Sequence, residues 1–204
     1  MEPASPIPLA PGRLYRFAWS LYLFMALAGT LWIGVRQGRI PLALFVDPDR
    51  WWLDLGLGLG AGLLLLAVWW GAERVFPLAK DLEARLASLL GAITLSEAVG
   101  LALLSGFAEE LFFRGAVQGT LGWAGATVLF GLLHSGPGKA FRLWTLFALL
   151  AGLILGGLMV WRGNLLGPFV GHFLVNAVNL RRLASRMGDS ARLREGEAPS
   201  EKEI

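Results

Sequence analysis

The sequence contains no cysteine, so it has neither a disulfide framework nor a thiolate nucleophile or ligand. Histidine and tyrosine occur twice each. Charged residues make up 16% of the 204 positions, well short of the roughly one quarter usual in a soluble domain. The formal net charge is only +3, and Lys and Arg are scattered over loops rather than grouped in a stripe, which argues against nucleic-acid binding. No positively charged segment followed at once by a cleavable apolar core opens the Pro-rich N-terminus, so no signal peptide is expected there. What is abundant is apolar: 55% hydrophobic residues, nine Trp and a mean hydropathy of +0.59. The chain reads as one all-α polytopic membrane bundle, with basic residues matched to membrane surfaces.

Taken in order, the apolar runs predict about six transmembrane helices and one interfacial amphipathic helix. A tail over residues 1–13 precedes a membrane domain over 14–180. The first span covers Leu14–Val35, long enough to cross about 30 Å of hydrocarbon. Residues 38–50 read as a loop with a short interfacial piece. The second span, Trp52–Trp70, is bracketed by Trp pairs, as anchors at two headgroup levels would be. Its Gly56, Gly58, Gly60 and Gly62 follow no strand and alternate with leucine, so they read as points of close helix approach rather than a phosphate loop. Asp54, near its start, is expected at the interface. Between Gly71 and Leu90, Leu78, Leu82, Leu86 and Leu89 recur at helical spacing among charges, which predicts an amphipathic helix on the membrane surface or capping the bundle. The remaining spans are expected at Leu95–Phe113, Leu121–His134, Leu143–Trp161 and Leu165–Leu180. Glu97 is expected as a first-turn acid, and Gly152 and Gly156 as a small-residue contact. Residues 181–204 are charged and aperiodic and read as a flexible tail. Ten basic residues flank one side of the spans and five the other, which predicts a multi-pass cell-membrane protein with both termini cytoplasmic.

Inside these spans lie charges that a bilayer does not tolerate without a use. The stretch Ser105-Gly-Phe-Ala-Glu109-Glu110-Leu-Phe-Phe-Arg114-Gly115 holds three, each costing roughly 2.5–3.5 kcal/mol at a bilayer centre. Glu110 and Arg114 are i,i+4 with the acid first, the favourable order for an ion pair. Glu109 lies about 100° round the helix from Glu110, so one glutamate is held and the other is free for chemistry. Both histidines also fall in apolar spans: His134 closes Phe130-Gly-Leu-Leu-His134, and His172 opens His172-Phe-Leu-Val-Asn176. His172 and Asn176 share a helix face, with Asn179 close to the same stripe. Pro168, four residues earlier, caps or kinks that helix. Two His, one Asn and an acid pair on three spans favour a shared polar site over a hydrogen-bond network that merely fixes packing.

These three motifs, complete and in order, resemble those of the type II CAAX-prenyl endopeptidases and related bacteriocin-processing (CPBP) intramembrane proteases. That family has Glu-Glu-x-x-x-Arg, Phe-x-x-x-His and His-x-x-x-Asn on successive membrane helices. The likeness covers about residues 95–180. It implies an enzyme, an intramembrane endopeptidase that hydrolyses a peptide bond in a membrane-bound or lipid-modified protein or peptide. By the resemblance, Glu109 is the general base, His134 shares its water, and His172 and Asn176 stabilise the oxyanion. Glu110 and Arg114 are supporting residues that position Glu109. The cofactor is open: a metal-independent glutamate mechanism, slightly preferred because His172 with Asn176 suits a carbonyl, or a metalloprotease with zinc or another divalent metal on Glu109, His134 and His172. The expected partners are the bilayer and a membrane-anchored peptide substrate. A non-catalytic immunity or scaffold protein is the alternative reading. A proton-coupled transporter ranks lower, because no internal repeat is visible.

Overall fold

A computed structural model describes residues 13–90 and 93–196, and within them every regular element is helical. The elements are α1 (Arg13–Gln37), a 3₁₀ turn (Leu42–Leu44), α2 (Trp51–Val75), α3 (Pro77–Leu90), α4 (Leu95–Glu110), a π-helical segment (Leu111–Val117), α5 (Gln118–Leu133), α6 (Lys139–Arg162) and α7 (Leu166–Gly196). The reading of the first 12 residues as a tail without a signal peptide, and of 197–204 as part of a flexible tail, falls outside the described residues.

Length and composition qualify four helical stretches to cross a membrane: Tyr15–Gln37, Trp51–Val75, Leu95–Leu133 and Lys139–Arg162. The expected count of six differs for two reasons. The third and fourth expected spans form one hydrogen-bonded path, broken by Gly122, whose φ of +73° and ψ of 173° no helix contains. From Glu109 to Leu121 an α-helix rises about 18 Å, and from Trp123 to His134 about 16 Å. Since the His134 ring ends 3.7 Å from the Glu109 carboxylate, the chain doubles back at Gly122. The returning arm is therefore too short to span alone. The other reason is α7, whose apolar run is interrupted by His172, Asn176 and Asn179 and then by Arg181 and Arg182.

The helix does not stop at that basic pair, contrary to the expected tail from residue 181. It continues to Gly196, and Arg182 reaches α2 to make a two-pronged bond to Glu73 at 3.0 and 2.8 Å. That carboxylate holds the Arg182 guanidinium above its usual pKa. Leu183 is buried beside it. The amphipathic segment forms α3, which caps the bundle: Ala79 and Leu82 pack on Trp69, Ala140 and Phe141. The α4 start is a capping box, with the Thr94 side chain accepting from the Glu97 amide and Glu97 accepting from the Thr94 amide.

Asp54 is fully buried within the protein, bonded to Arg162 Nε at 2.5 Å and Asn164 Nδ2 at 2.8 Å. Its partners come from the end of α6 and the following turn, so the position of Asp54 in its own helix gave no sign of them. This cluster, with Asp47 on Arg162 at 3.3 Å, marks the end of the bundle opposite α3.

The α2 glycines divide by face. A Cβ on Gly58 would stand 2.5 Å from the Gly167 carbonyl, and one on Gly62 would stand 3.0 Å from that of Gly171, whereas Gly56 and Gly60 have open space. Two glycine pairs thus let α2 and α7 approach backbone to backbone. Gly152 and Gly156 make the same kind of contact, against Thr127 and Trp123. Replacing Gly58 with Val is expected to destabilise the bundle by about 1–3 kcal/mol through overpacking, whereas Gly60→Ala is expected to be neutral or stabilising by up to about 1 kcal/mol. Unfolding midpoints of the two purified variants check this pair, and equal effects would contradict the packing.

Candidate active site

Four helical segments deliver one polar cluster. Glu109 and Glu110 end α4, Arg114 sits in the π segment, His134 closes α5, and His172 and Asn176 occupy one face of α7. The π segment widens the turn around Arg114, and Arg36 of α1 donates to its Gly115 and Ala116 carbonyls at 3.1 Å each. Such widened turns recur at functional sites. Gly106 brings α7 close, with the Phe173 amide nitrogen 3.3 Å from where a Cβ would be.

The pair foreseen from spacing is present and buried: Arg114 Nε lies 3.2 Å from Glu110 Oε2, with both side chains 1% exposed. The other oxygen of Glu110 meets His172 Nδ1 at 2.7 Å. Through Glu110, then, the arginine reaches His172. The Arg114 guanidinium also covers the face of Phe130 at 4.6 Å. Glu109 Oε2 has no hydrogen-bond partner in the protein. It faces His134 Nε2 at 3.7 Å and His172 Nε2 at 3.9 Å.

Both imidazoles are fixed by their other nitrogen. His134 Nδ1 meets the Phe130 carbonyl at 2.8 Å, and His172 Nδ1 meets a carboxylate. A carbonyl and a carboxylate can only accept, so each Nδ1 carries a proton and each Nε2 is turned toward Glu109. Asn176 donates to Ser105 Oγ at 2.9 Å, which leaves its second N–H unassigned. Asn179 stands one turn further along the same wall. All four residues expected to act on substrate line one cleft of about 420 Å³. From Glu109 it runs past Trp144 and Phe147 to Leu82 and Leu86 of α3 and Phe17 of α1, so it opens toward the α3 end of the bundle.

Two contributors went unassigned in the sequence. Ser105 opens the charged stretch and orients Asn176. Tyr22 of α1 lines the cleft and interacts with Glu109. Its one signal was its place: of only two tyrosines, it lies in the middle of an apolar span rather than at an interface.

The metal reading can be tested on the donor spacing. At zinc–ligand lengths of about 2.0–2.1 Å, adjacent atoms of a tetrahedral site lie about 3.3 Å apart. The separations of 3.7 and 3.9 Å from Glu109 to the two rings exceed that. Among the described residues no group of three His, Asp or Glu side chains is gathered to hold a metal ion. The arrangement as it stands does not fit one.

A buried arginine-backed carboxylate, a second carboxylate, two aligned imidazoles and an amide thus meet around one cleft. Residues 91–178 match the family described as type II CAAX prenyl endopeptidase, Rce1-like. That segment holds all six motif residues, and the match is to the family that the motifs resemble. The chain is also 38% identical over 80 residues to "Uncharacterized protein YpbD" of Bacillus subtilis (strain 168). The match spans 38% of this chain and 41% of that relative. No solved structure matches.

Because the Glu110–Arg114 pair is buried, Arg114→Leu is expected to cost about 3–5 kcal/mol by leaving a lone carboxylate in the bundle. Adding Glu110→Leu should recover part of that loss. Chemical unfolding of the two single variants and the double variant measures the coupling, and additive losses would mean that the pair carries none.

Proposed function

We propose that the protein is an intramembrane endopeptidase that cleaves a membrane-bound or lipid-modified peptide with a water activated by Glu109, without a metal. The observation that carries this reading is the Glu109 Oε2 atom, without a hydrogen-bond partner, facing two imidazoles whose Nδ1 atoms are already committed. His172, set between the carboxylates of Glu110 and Glu109, is the ring best placed to hold a second proton, on Nε2.

The roles then follow. Glu109, aided by His134, takes a proton from the water as its oxygen attacks the scissile carbonyl carbon. The developing oxyanion accepts from His172 Nε2–H and from the free N–H of Asn176. Glu109 returns the proton to the departing amine as the C–N bond breaks. Glu110 and Arg114 keep His172 aimed. The cleft walls are apolar and aromatic, which suits an extended hydrophobic peptide or one bearing a lipid. The basic residues of α3, the start of α6 and the later part of α7, Lys80, Arg85, Lys139, Arg142 and Arg182, argue that this end of the bundle faces the cytoplasm and that both termini lie there.

The test is proteolysis of a membrane-anchored reporter peptide library by the purified protein in liposomes. Glu109→Gln is expected to lower the rate at least about 10²–10⁴-fold, the usual share of a general base, with the unfolding midpoint kept. Chelation with 1,10-phenanthroline is expected to leave the wild-type rate within about twofold. An active Glu109→Gln variant sinks the mechanism. Loss of rate on chelation, restored by zinc, transfers it to a metal.

A further inference from the structure

Tyr22 lies in the middle of the apolar α1 span. Tyrosines of membrane helices gather at the two interfaces, where the hydroxyl meets water, and a phenol taken away from water needs a partner. Leu21, Leu23, Phe24 and Leu27 around it are exposed and form the outward face of α1. Tyr22 instead shares a stripe with Trp19, Gly29 and Ile33, whose spacing keeps all four on one side of the helix.

That stripe packs in register on α4 and the π segment. A Cβ on Gly100 would stand 3.9 Å from Trp19 Cζ2, one on Gly29 would stand 3.1 Å from Phe112 Cα, and one on Gly115 would stand 2.8 Å from Ile33 Cδ1. α1 therefore runs beside α4 in the same direction, with Trp19 level with Gly100 and Gly29 level with Phe112. Tyr22, between Trp19 and Gly29, is carried opposite the interval that holds Ser105 and Glu109. It lines the cleft together with both of them, and its side chain meets the Glu109 carboxylate.

Chemistry fixes the direction of that contact. An ionised carboxylate only accepts, so the phenol O–H is the donor. Glu109 Oε2 has no hydrogen-bond partner and faces the two imidazole Nε2 atoms, which leaves Oε1 for the phenol. A donor on one oxygen fixes the plane of the carboxyl group, and with it the direction of the other oxygen. Phenylalanine would fill the same space on α1, so the O–H is what tyrosine adds.

We propose that Tyr22 is the positioning residue of the general base: its O–H, donated to Glu109 Oε1, keeps Oε2 turned toward His134 and His172. This role rests on the protein being a hydrolase, whereas the contact itself does not. It makes α1, which lies outside the matched residues 91–178, a working part of the site.

Kinetics and a spectroscopic signature of the full chain in liposomes test the role and the contact separately. Tyr22→Phe is expected to lower kcat on the reporter peptides at least about tenfold, the scale of one hydrogen bond to a charged group, with KM within about twofold and the unfolding midpoint kept. Tyr15 is the only other tyrosine, so in a Tyr15→Phe chain isotope-labelled at the tyrosine Cζ a single NMR resonance reports Tyr22. Glu109→Gln is expected to move that resonance, because a neutral amide accepts more weakly than a carboxylate. Glu83→Gln, which changes another acid of the same cleft, is expected to leave it in place. A resonance indifferent to Glu109→Gln, or moved equally by Glu83→Gln, overturns the contact whether or not the protein cleaves peptides. A Tyr22→Phe chain with unchanged kcat, or with a raised KM alone, overturns the positioning role. A wild-type chain that cleaves none of the reporters removes the hydrolytic reading and the role with it, and the resonance still decides the contact.

Discussion

The arrangement depends on one buried contact chain: Arg114 to Glu110 to His172, over 3.2 and 2.7 Å. Taking an ion pair out of water is costly, and further contacts must offset part of that cost. Here the second Glu110 oxygen takes the imidazole N–H, and the guanidinium face takes the Phe130 ring. Each contact ties another segment to the end of α4, so charge satisfaction and the convergence of α4, α5 and α7 are one requirement. Glu109, the adjacent carboxylate, is left out of this chain because consecutive residues on a helix point about 100° apart. Its Oε2 atom, without a hydrogen-bond partner, faces the two Nε2 atoms instead.

Convergence also needs the backbone to come close. Gly106, Gly58 and Gly62 remove the side chains that would separate α7 from α4 and α2. Gly122, at φ +73°, supplies the reversal that returns His134 to the level of Glu109. None of these glycines touches the cluster, yet the positions of His172 and His134 follow from them. Lipid offers little hydrophobic reward for helix association, so such close packing carries much of the cohesion.

What could be read in advance was what repeats locally. The i,i+4 spacing of Glu110 and Arg114, the shared face of His172 and Asn176, the Thr94–Glu97 cap and the α2 glycine ladder need only one helix to be visible. What could not be read depends on distant partners. The burial of Asp54 rests on Arg162 and Asn164, 108 and 110 residues away and invisible from its own helix. The continuation of α7 beyond Arg181 rests on Glu73, 109 residues before Arg182. Tyr22 lies in a helix outside the matched segment, where no motif drew notice to it. The π segment, Leu-Phe-Phe-Arg-Gly-Ala-Val, contains no residue that demands a widened turn. Arg36, reaching across from α1 to its carbonyls, makes that turn tolerable in an apolar setting.

The Arg114 guanidinium is wholly buried, beside Glu110 and over the face of Phe130. Phe130 sits over Arg114 and against both imidazoles, with ring separations of 4.3 Å to His134 and 6.2 Å to His172. Its apolar body keeps the local dielectric low, so the contacts among Arg114, Glu110 and His172 are stronger than they would be in water.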